Sequence, residues 1–561
     1  MIIPGNDTYD IIYSDEGCTQ GDVTAMGLYG LGIKPLTDKL ADTVSTDLCK
    51  QVWYADDSSS AGKLNEMKKW WDELCCSGPK YGYFPLPTKT ILIVKETAEA
   101  KAREIFEGSG VQITTQGERH MGAVIGSQQF KEEYVSRKVE KWVQDIEELS
   151  SIAKAEPQAA YSVYTKAICH RWTYVQRTIP NIAQLFKPLE YAIREKLIPA
   201  LVGRKISNIE RSIFTLPVRL GGMGIRNPVD ICEDEYAASI SITQNLTNMI
   251  INQERDLTNY HAEEVDLQIK NVKDRKEQKL KEECTTILES LDDKMKRILE
   301  LAQEKGCGAW LTALPIQALG YTLNKQEFRD SVCLRYGWRV PNTPAYCQCD
   351  KKNDIDHALS CKKGGYVIMR HNRIRDLEAD LMREVCHNVK VEPELLPLDA
   401  NQMRNGNTAE KARLDVSGNG VWGPFERTFL DIRIMHPNAP TYINKPLPRV
   451  YAAHERQKKH DYNERVQQVE KGTFTPIVMS TFGGMGNEAE RHHKRIAQLI
   501  SEKKNEKYGD VLNYIRTRLR FSLLKSVLMA IRGVRDKGMK KTKITPISSL
   551  SFNLIEFNDG V

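Results

Sequence analysis

The sequence predicts a multidomain α+β chain in which strand-bearing and helical segments alternate. Three observations lead there. The chain has 561 residues, more than one core serves, and 41% of them are hydrophobic, enough for several. Short apolar runs bounded by turn residues, at 91–94, 428–434 and 473–481, read as strands, whereas 62–74 carries Leu64, Met67, Trp71 and Leu74 at helical spacing. Residues 251–306 are rich in Glu, Lys, Asp and Gln and contain no proline, so they read as a solvated helical spacer between domains.

At the front, the apolar pair Val52-Trp53 leads into Tyr54-Ala55-Asp56-Asp57. Two adjacent carboxylates repel, and one takes up a proton unless a cation compensates. Mg²⁺ prefers one or two carboxylates together with phosphate oxygens, so the pair points to metal-assisted phosphoryl chemistry on a nucleotide. An acidic hairpin turn is the alternative. Upstream, Gly21 lets backbone approach a flat ligand and Gln20 reaches a base or sugar edge. Downstream, Pro87-Thr88-Lys89-Thr90 precedes the strand at 91–94, and Lys89 is either a proton donor to a leaving group or a solvated turn lysine. Residues 127–250 read as mostly helical.

In this order, Gln20-Gly21-Asp22 and Tyr54-Ala55-Asp56-Asp57 resemble motifs B and C of reverse transcriptases. Val23 stands where that family usually has proline. The resemblance implies a partial right-hand polymerase palm over 1–126 and a helical thumb over 127–250. Gln20, Gly21 and Tyr54 would then touch nucleotide and template, and Asp56 and Asp57 would hold Mg²⁺ or Mn²⁺. Lys89, in a segment like motif D, would serve the leaving pyrophosphate. Residues 117–122 resemble the primer-grip hairpin, and 219–227 a thumb loop of retrotransposon polymerases. The family also uses an upstream carboxylate, on motif A, but only nineteen residues precede Gln20. The expectation is an N-terminally truncated polymerase that does not polymerise alone, because two-metal catalysis needs ligands on both sides of the metals.

Composition narrows the setting. A net charge of +6 suits nucleic acid without requiring it. Thirteen cysteines, an odd number scattered over the chain, argue against a disulfide framework and for a reducing compartment. No secretory signal or membrane-length apolar run is visible. A nuclear or cytoplasmic, unsecreted protein without a membrane partner is expected.

Tyr346-Cys347-Gln348-Cys349 is followed by His357 and Cys361. Three thiolates and an imidazole at this spacing make a closed, structural Zn²⁺ set. A polymerase-like front, this knuckle, and then Arg370-His371-Asn372 opening a helix resemble the C-terminal half of non-long-terminal-repeat retrotransposons with a restriction-like endonuclease. The resemblance makes 251–310 a linker, 311–365 a connecting region with the knuckle, and Arg370 and His371 nucleic-acid contacts.

The last part reads as a nuclease. A strand starts at 413–416, a Gly-rich turn follows at 418–423, and a second strand spans 428–434. Alternate strand residues share a face, so Phe429, Asp431 and Arg433 point together. Asp415 and Asp431 can meet around a Mg²⁺ or Mn²⁺ ion. This resembles the Pro-Asp…Asp/Glu-x-Lys nuclease core over 366–545, with Leu414 in place of Pro and Arg433 in place of Lys. Arginine does not readily give up its proton, so Arg433 is a poor base. The polar helix at 454–462 offers a migrated lysine: Lys459, which shares a face with Tyr462, or Lys458 as its rival. Arg516 and Arg520, on a helix with interleaved apolar residues, are candidate contacts to DNA phosphates. A tail, 546–561, ends the chain.

The resemblance thus implies target-primed reverse transcription. The endonuclease nicks a DNA target, and the freed 3′-hydroxyl primes copying of an RNA template. The alternative is a catalytically dead nucleic-acid-binding remnant.

Overall fold

The computed structural model describes residues 2–4, 9–11, 22–255, 262–398, 406–533 and 535. The chain is mixed α+β, mostly helical with small sheets. Its contacts divide it into two compact units. One comprises Met1–Lys141, Trp172–Pro188 and Pro228–Lys279; the other comprises Trp142–Arg171, Leu189–Asn227 and Leu280–Val561. The serial order of palm, thumb and linker is therefore not how the contacts run. Within the second unit, helices Pro157–Lys166 and Ile198–Val202 of the expected thumb pack against helix Lys325–Tyr336, far along the chain. Gln158 seals that packing, donating to Tyr321 O at 2.9 Å and accepting from Leu323 N at 2.6 Å.

In the first unit, helices Ala25–Thr43 and Leu64–Ser77 enclose a core of Leu36, Leu40, Trp70, Trp71, Leu74, Leu92 and Phe106. The predicted stripe lies there: Trp71 and Leu74 are buried, and Leu64 and Met67 pack at its margin. Strands Cys49–Tyr54 and Asp57–Gly62 form an antiparallel hairpin. A Cβ at Gly62 would lie 2.0 Å from Leu48 O, so the close approach demands glycine. Gln253 covers the outer edge of the hairpin, its amide exchanging two 2.9 Å hydrogen bonds with the backbone of Gln51. The charged stretch does not behave as a free spacer over 262–279. On helix Ala262–Glu289, Val272 is buried, and Lys276 and Lys279 pair with Glu235 and Asp234 of helix Cys232–Asn252. Its few apolar residues suffice because ion pairs flank them.

The second unit carries a four-stranded mixed sheet in the order Thr473–Ser480, Arg427–Met435, Val416–Asn419, His387–Val391. The first two strands run parallel and are joined by helix Leu447–Gln468, the crossover a parallel pair needs. The other pairs are antiparallel. Helices Tyr366–Arg383, Asn487–Lys504 and Tyr508–Arg532 complete the packing. The expected turn at 418–423 begins later than predicted. Gly418 belongs to the strand, where a Cβ would meet Met382 Cε at 2.8 Å. Its smallness serves helix-on-sheet packing.

Glu304 makes this unit sensitive to pH. Its carboxyl is buried against Gly484 and the Tyr451 hydroxyl. Burial pushes its pKa up to about 7, from an ordinary value of 4.5. The folded chain therefore holds this proton more tightly than the unfolded chain. The resulting stability is complete below about pH 4.5 and is lost as pH rises toward 7. Glu304→Gln should accordingly gain about 2 kcal/mol over wild type between pH 5 and pH 7.5. Unfolding curves of both proteins at the two pH values measure this; a difference independent of pH would refute it.

Candidate metal centres

The knuckle is built locally. Residues 345–353 fold back on themselves through Cys347 N to Lys351 O at 2.8 Å and Asn353 N to Ala345 O at 2.9 Å, with Asp350 turning the chain at φ +65°. The Asp354 carboxylate accepts from His357 N at 2.8 Å and caps the short helix Ile355–Ser360. Cys361 follows the helix directly. Cys347 Sγ lies 3.8 Å from Cys361 Sγ, Cys361 Sγ lies 3.9 Å from Cys349 Sγ, and Cys349 Sγ lies 3.2 Å from His357 Nε2. All four donor atoms fall within 4.8 Å of one another. A tetrahedron with Zn–S bonds of about 2.3 Å has sulfur–sulfur edges of about 3.8 Å, so the donor set fits a zinc ion. Burial lowers the pKa of His357, which favours the neutral imidazole that a metal requires. Among the described residues this is the only such group of three or more side chains, and the described cysteines are all free thiols.

Arg370 belongs to this centre rather than to a nucleic-acid surface, correcting the sequence reading. It is 2% exposed, and both terminal nitrogens donate to Leu359 O at 3.2 Å. Arg535 donates to the neighbouring Ala358 O at 3.1 Å. Together they satisfy carbonyls at the end of the knuckle helix. Arg520 is likewise buried and donates to Cys307 O at 3.2 Å. Basic residues on these helices are drawn inward by unpaired carbonyls, a demand that composition does not reveal. Arg516 is half-buried and lines a small cavity with Lys305, His493 and Arg520.

The predicted carboxylates lie on the central strands of the sheet. Phe429, Asp431 and Arg433 share a face as predicted, and that face meets helix Leu447–Gln468. Phe429 joins a core with Leu414 and Val466 that Tyr462 flanks, Asp431 meets Lys458, and Arg433 donates to Gln457 Oε1 at 3.2 Å. Asp415 sits one residue before its strand, yet its N–H still pairs with Leu430 O at 3.0 Å. Asp415 Oδ2 accepts from Ile432 N at 2.6 Å and lies 3.2 Å from His371 Nε2. His371 therefore joins the carboxylates, a meeting across 44 residues that no local pattern announced. Lys458 Nζ is 2.5 Å from Asp431 Oδ2. Lys459, preferred from the sequence, instead pairs with Glu488 at 2.5 Å. Adjacent positions on a helix lie about 100° apart, so only one of the two can face the strand.

The electrostatics follow from burial. Asp431 is 7% exposed, and burial raises its pKa, reinforced by the Asp415 charge and opposed by Lys458. Burial alone would lower the pKa of His371, but its bond to the Asp415 carboxylate prevails and raises it. His454, one turn before Lys458, is pushed down to about 4 by burial and by the nearby charges of Arg433 and Lys458.

In the first unit, Asp56 and Asp57 are exposed at the tip of the hairpin, where Ala55 takes φ +52°, and Tyr54 is also exposed. Tyr83 braces the turn by donating to Asp56 O at 2.9 Å. Lys89 is exposed in the turn before strand Ile91–Ile93. Gln20 and Gly21 lie outside the described residues, as does the tail 546–561. Residues 219–227 form a largely packed loop, with Met223 and Ile225 buried and Tyr161 donating to Met223 O at 2.7 Å. A Cβ at Gly222 would approach Leu216 O to 1.9 Å, so the Gly-Gly pair serves packing. Among the described residues no helix is long and apolar enough to cross a membrane.

No protein-family model matches this chain, and no curated protein is significantly similar to it.

Proposed function

We propose that the second unit is a metal-dependent DNA endonuclease, carried by a derivative of a non-long-terminal-repeat retrotransposon polyprotein. The observation that carries the reading is the convergence of Asp415, Asp431, Lys458 and His371 where strand Val416–Asn419 begins beside the middle of strand Arg427–Met435. Asp431 is a buried carboxylate whose proton affinity stays raised by burial and by the Asp415 charge even with Lys458 beside it, so a further cation would favour its charged form. Asp415 and Asp431 offer the hard oxygen donors that Mg²⁺ or Mn²⁺ takes. Such an ion, when bound, polarises a phosphoryl oxygen and lowers the pKa of a bound water. His371 orients the Asp415 carboxylate, which the Ile432 N–H also holds. Lys458 stands where its ammonium can stabilise charge on the scissile phosphate, the role that Arg433, turned to Gln457, does not take.

In this reading the exposed Asp56-Asp57 hairpin is the nucleotide end of a polymerase palm. The nicked DNA target and an RNA template are the partners of target-primed reverse transcription. Zinc in the knuckle is structural.

Nicking of supercoiled plasmid in Mg²⁺ or Mn²⁺ tests the proposal. Wild type is expected to nick, and Asp415→Ala and Asp431→Ala are each expected to lose at least about 100-fold of that activity, the scale of a lost catalytic group. No nicking by folded, zinc-loaded wild type would overturn it. One observation favours a second reading, a nucleic-acid-binding protein without catalysis: Lys458 already neutralises Asp431. Salt-sensitive DNA binding without nicking would select that reading.

A further inference from the structure

Asp356 immediately precedes the knuckle residue His357, yet its side chain turns to the sheet. Its Oδ1 lies 3.0 Å from His436 Nε2 and accepts from Asn438 Nδ2 at 3.3 Å. His436 directly follows strand Arg427–Met435 and is buried. Its Nδ1 lies 2.9 Å from Thr481 Oγ1. Thr481 N in turn donates to Met435 O at 2.9 Å, tying together the ends of the two parallel strands. A carboxylate only accepts, so His436 donates through Nε2, while its Nδ1 pairs with the Thr481 hydroxyl. One junction thus runs from the knuckle helix to the end of the strand that carries Asp431, five residues before His436.

We infer that Asp356 and His436 are positioning residues that couple zinc occupancy of the knuckle to the order of the Asp431 strand. The inference rests on the zinc reading of the knuckle and extends it. A six-residue helix does not hold its shape alone. Helix Ile355–Ser360 is pinned by the Asp354 cap, by Arg370 and Arg535 on its last carbonyls, and by the two donors His357 and Cys361 that close the metal set. Without the metal, the last of these restraints goes and Asp356 loses its fixed place. His436 then keeps a buried N–H with no acceptor, a state costly enough to move the segment. The strand end relaxes with it. Because linkage is reciprocal, breaking the junction must also weaken zinc binding.

The test measures zinc affinity by competition with a chromophoric chelator, and backbone hydrogen exchange across 432–438. Asp356→Ala should lower zinc affinity about tenfold, the scale of outer-shell partners of metal sites. Asp356→Asn, which keeps the accepting oxygen, should recover most of that loss. Removing zinc from wild type should speed exchange across 432–438, and Asp356→Ala should do so with zinc still bound. Asn438→Ala, altering the half-buried far side of the junction, should show the same pattern more weakly and guards against misfolding of the Asp356 variants. Zinc affinity of Asp356→Ala within about twofold of wild type overturns the coupling, as does unchanged exchange at 432–438 on zinc removal; either result leaves the zinc site standing. A wild type that binds no zinc overturns both. Nicking activity does not enter these readouts.

Discussion

One zinc ion per chain is expected in the purified protein, and Cys347→Ser, Cys349→Ser or Cys361→Ser is expected to lose it. The edges of the donor set, 3.8 and 3.9 Å between sulfurs, already match a tetrahedron closed around a metal. Three thiols and an imidazole held this close make only weak hydrogen bonds to one another, so little else rewards their ordering. The apolar side chains that anchor the segment, Ala358 and Leu359, are few. Zinc binding in comparable small folds is worth about 10–16 kcal/mol, and most of that is folding free energy. Chelation should therefore open 345–361 to proteolysis while leaving the first unit resistant. Elemental analysis and limited proteolysis with and without chelator check this. Metal-free protein with an unchanged digestion pattern would refute it.

Lys458→Met is expected to cost both stability and nicking, and Lys459→Met neither. Lys458 neutralises a carboxylate that is 7% exposed. Removing one partner of a buried pair typically costs about 3–5 kcal/mol, because the other charge stays buried and alone. Asp431 would then take up a proton. Its folded pKa would rise further above the unfolded value, so the loss should be largest near neutral pH and shrink as pH falls through the raised folded pKa. Nicking should fall by about 100-fold or more. Lys459 pairs with Glu488 in a partly exposed setting, where such pairs are worth about 1 kcal/mol or less. Equal effects of the two substitutions, or a larger effect of Lys459→Met, would remove Lys458 from the site.

What was legible in the sequence was local. Phe429, Asp431 and Arg433 share a face because the strand period is two, and that follows from the order of residues alone. The four candidate zinc donors were legible because they lie within fifteen positions, and short loops bring their ends together cheaply. The helix of Trp71 and Leu74 was legible by its 3.6 period. The groups that were misplaced all depend on distant partners. Arg370 and Arg520 carried the sign expected of nucleic-acid contacts, yet each is spent on a backbone carbonyl, at Leu359 and Cys307. Gly418 had the composition of a turn, but Met382 packs where its side chain would be.

The sequence by itself determined the donor types: three thiols and an imidazole at knuckle spacing, two aspartates near adjacent strands, and a lysine pair on the helix between two strands. Only the tertiary structure decided that His371 meets Asp415, that Lys458 rather than Lys459 meets Asp431, and that Asp356 turns from the knuckle to His436. The physical reason is range. Periodicity and spacing constrain residues a few positions apart. Which helix face meets which strand is set by burial of whole apolar surfaces, and that optimum depends on the entire unit at once.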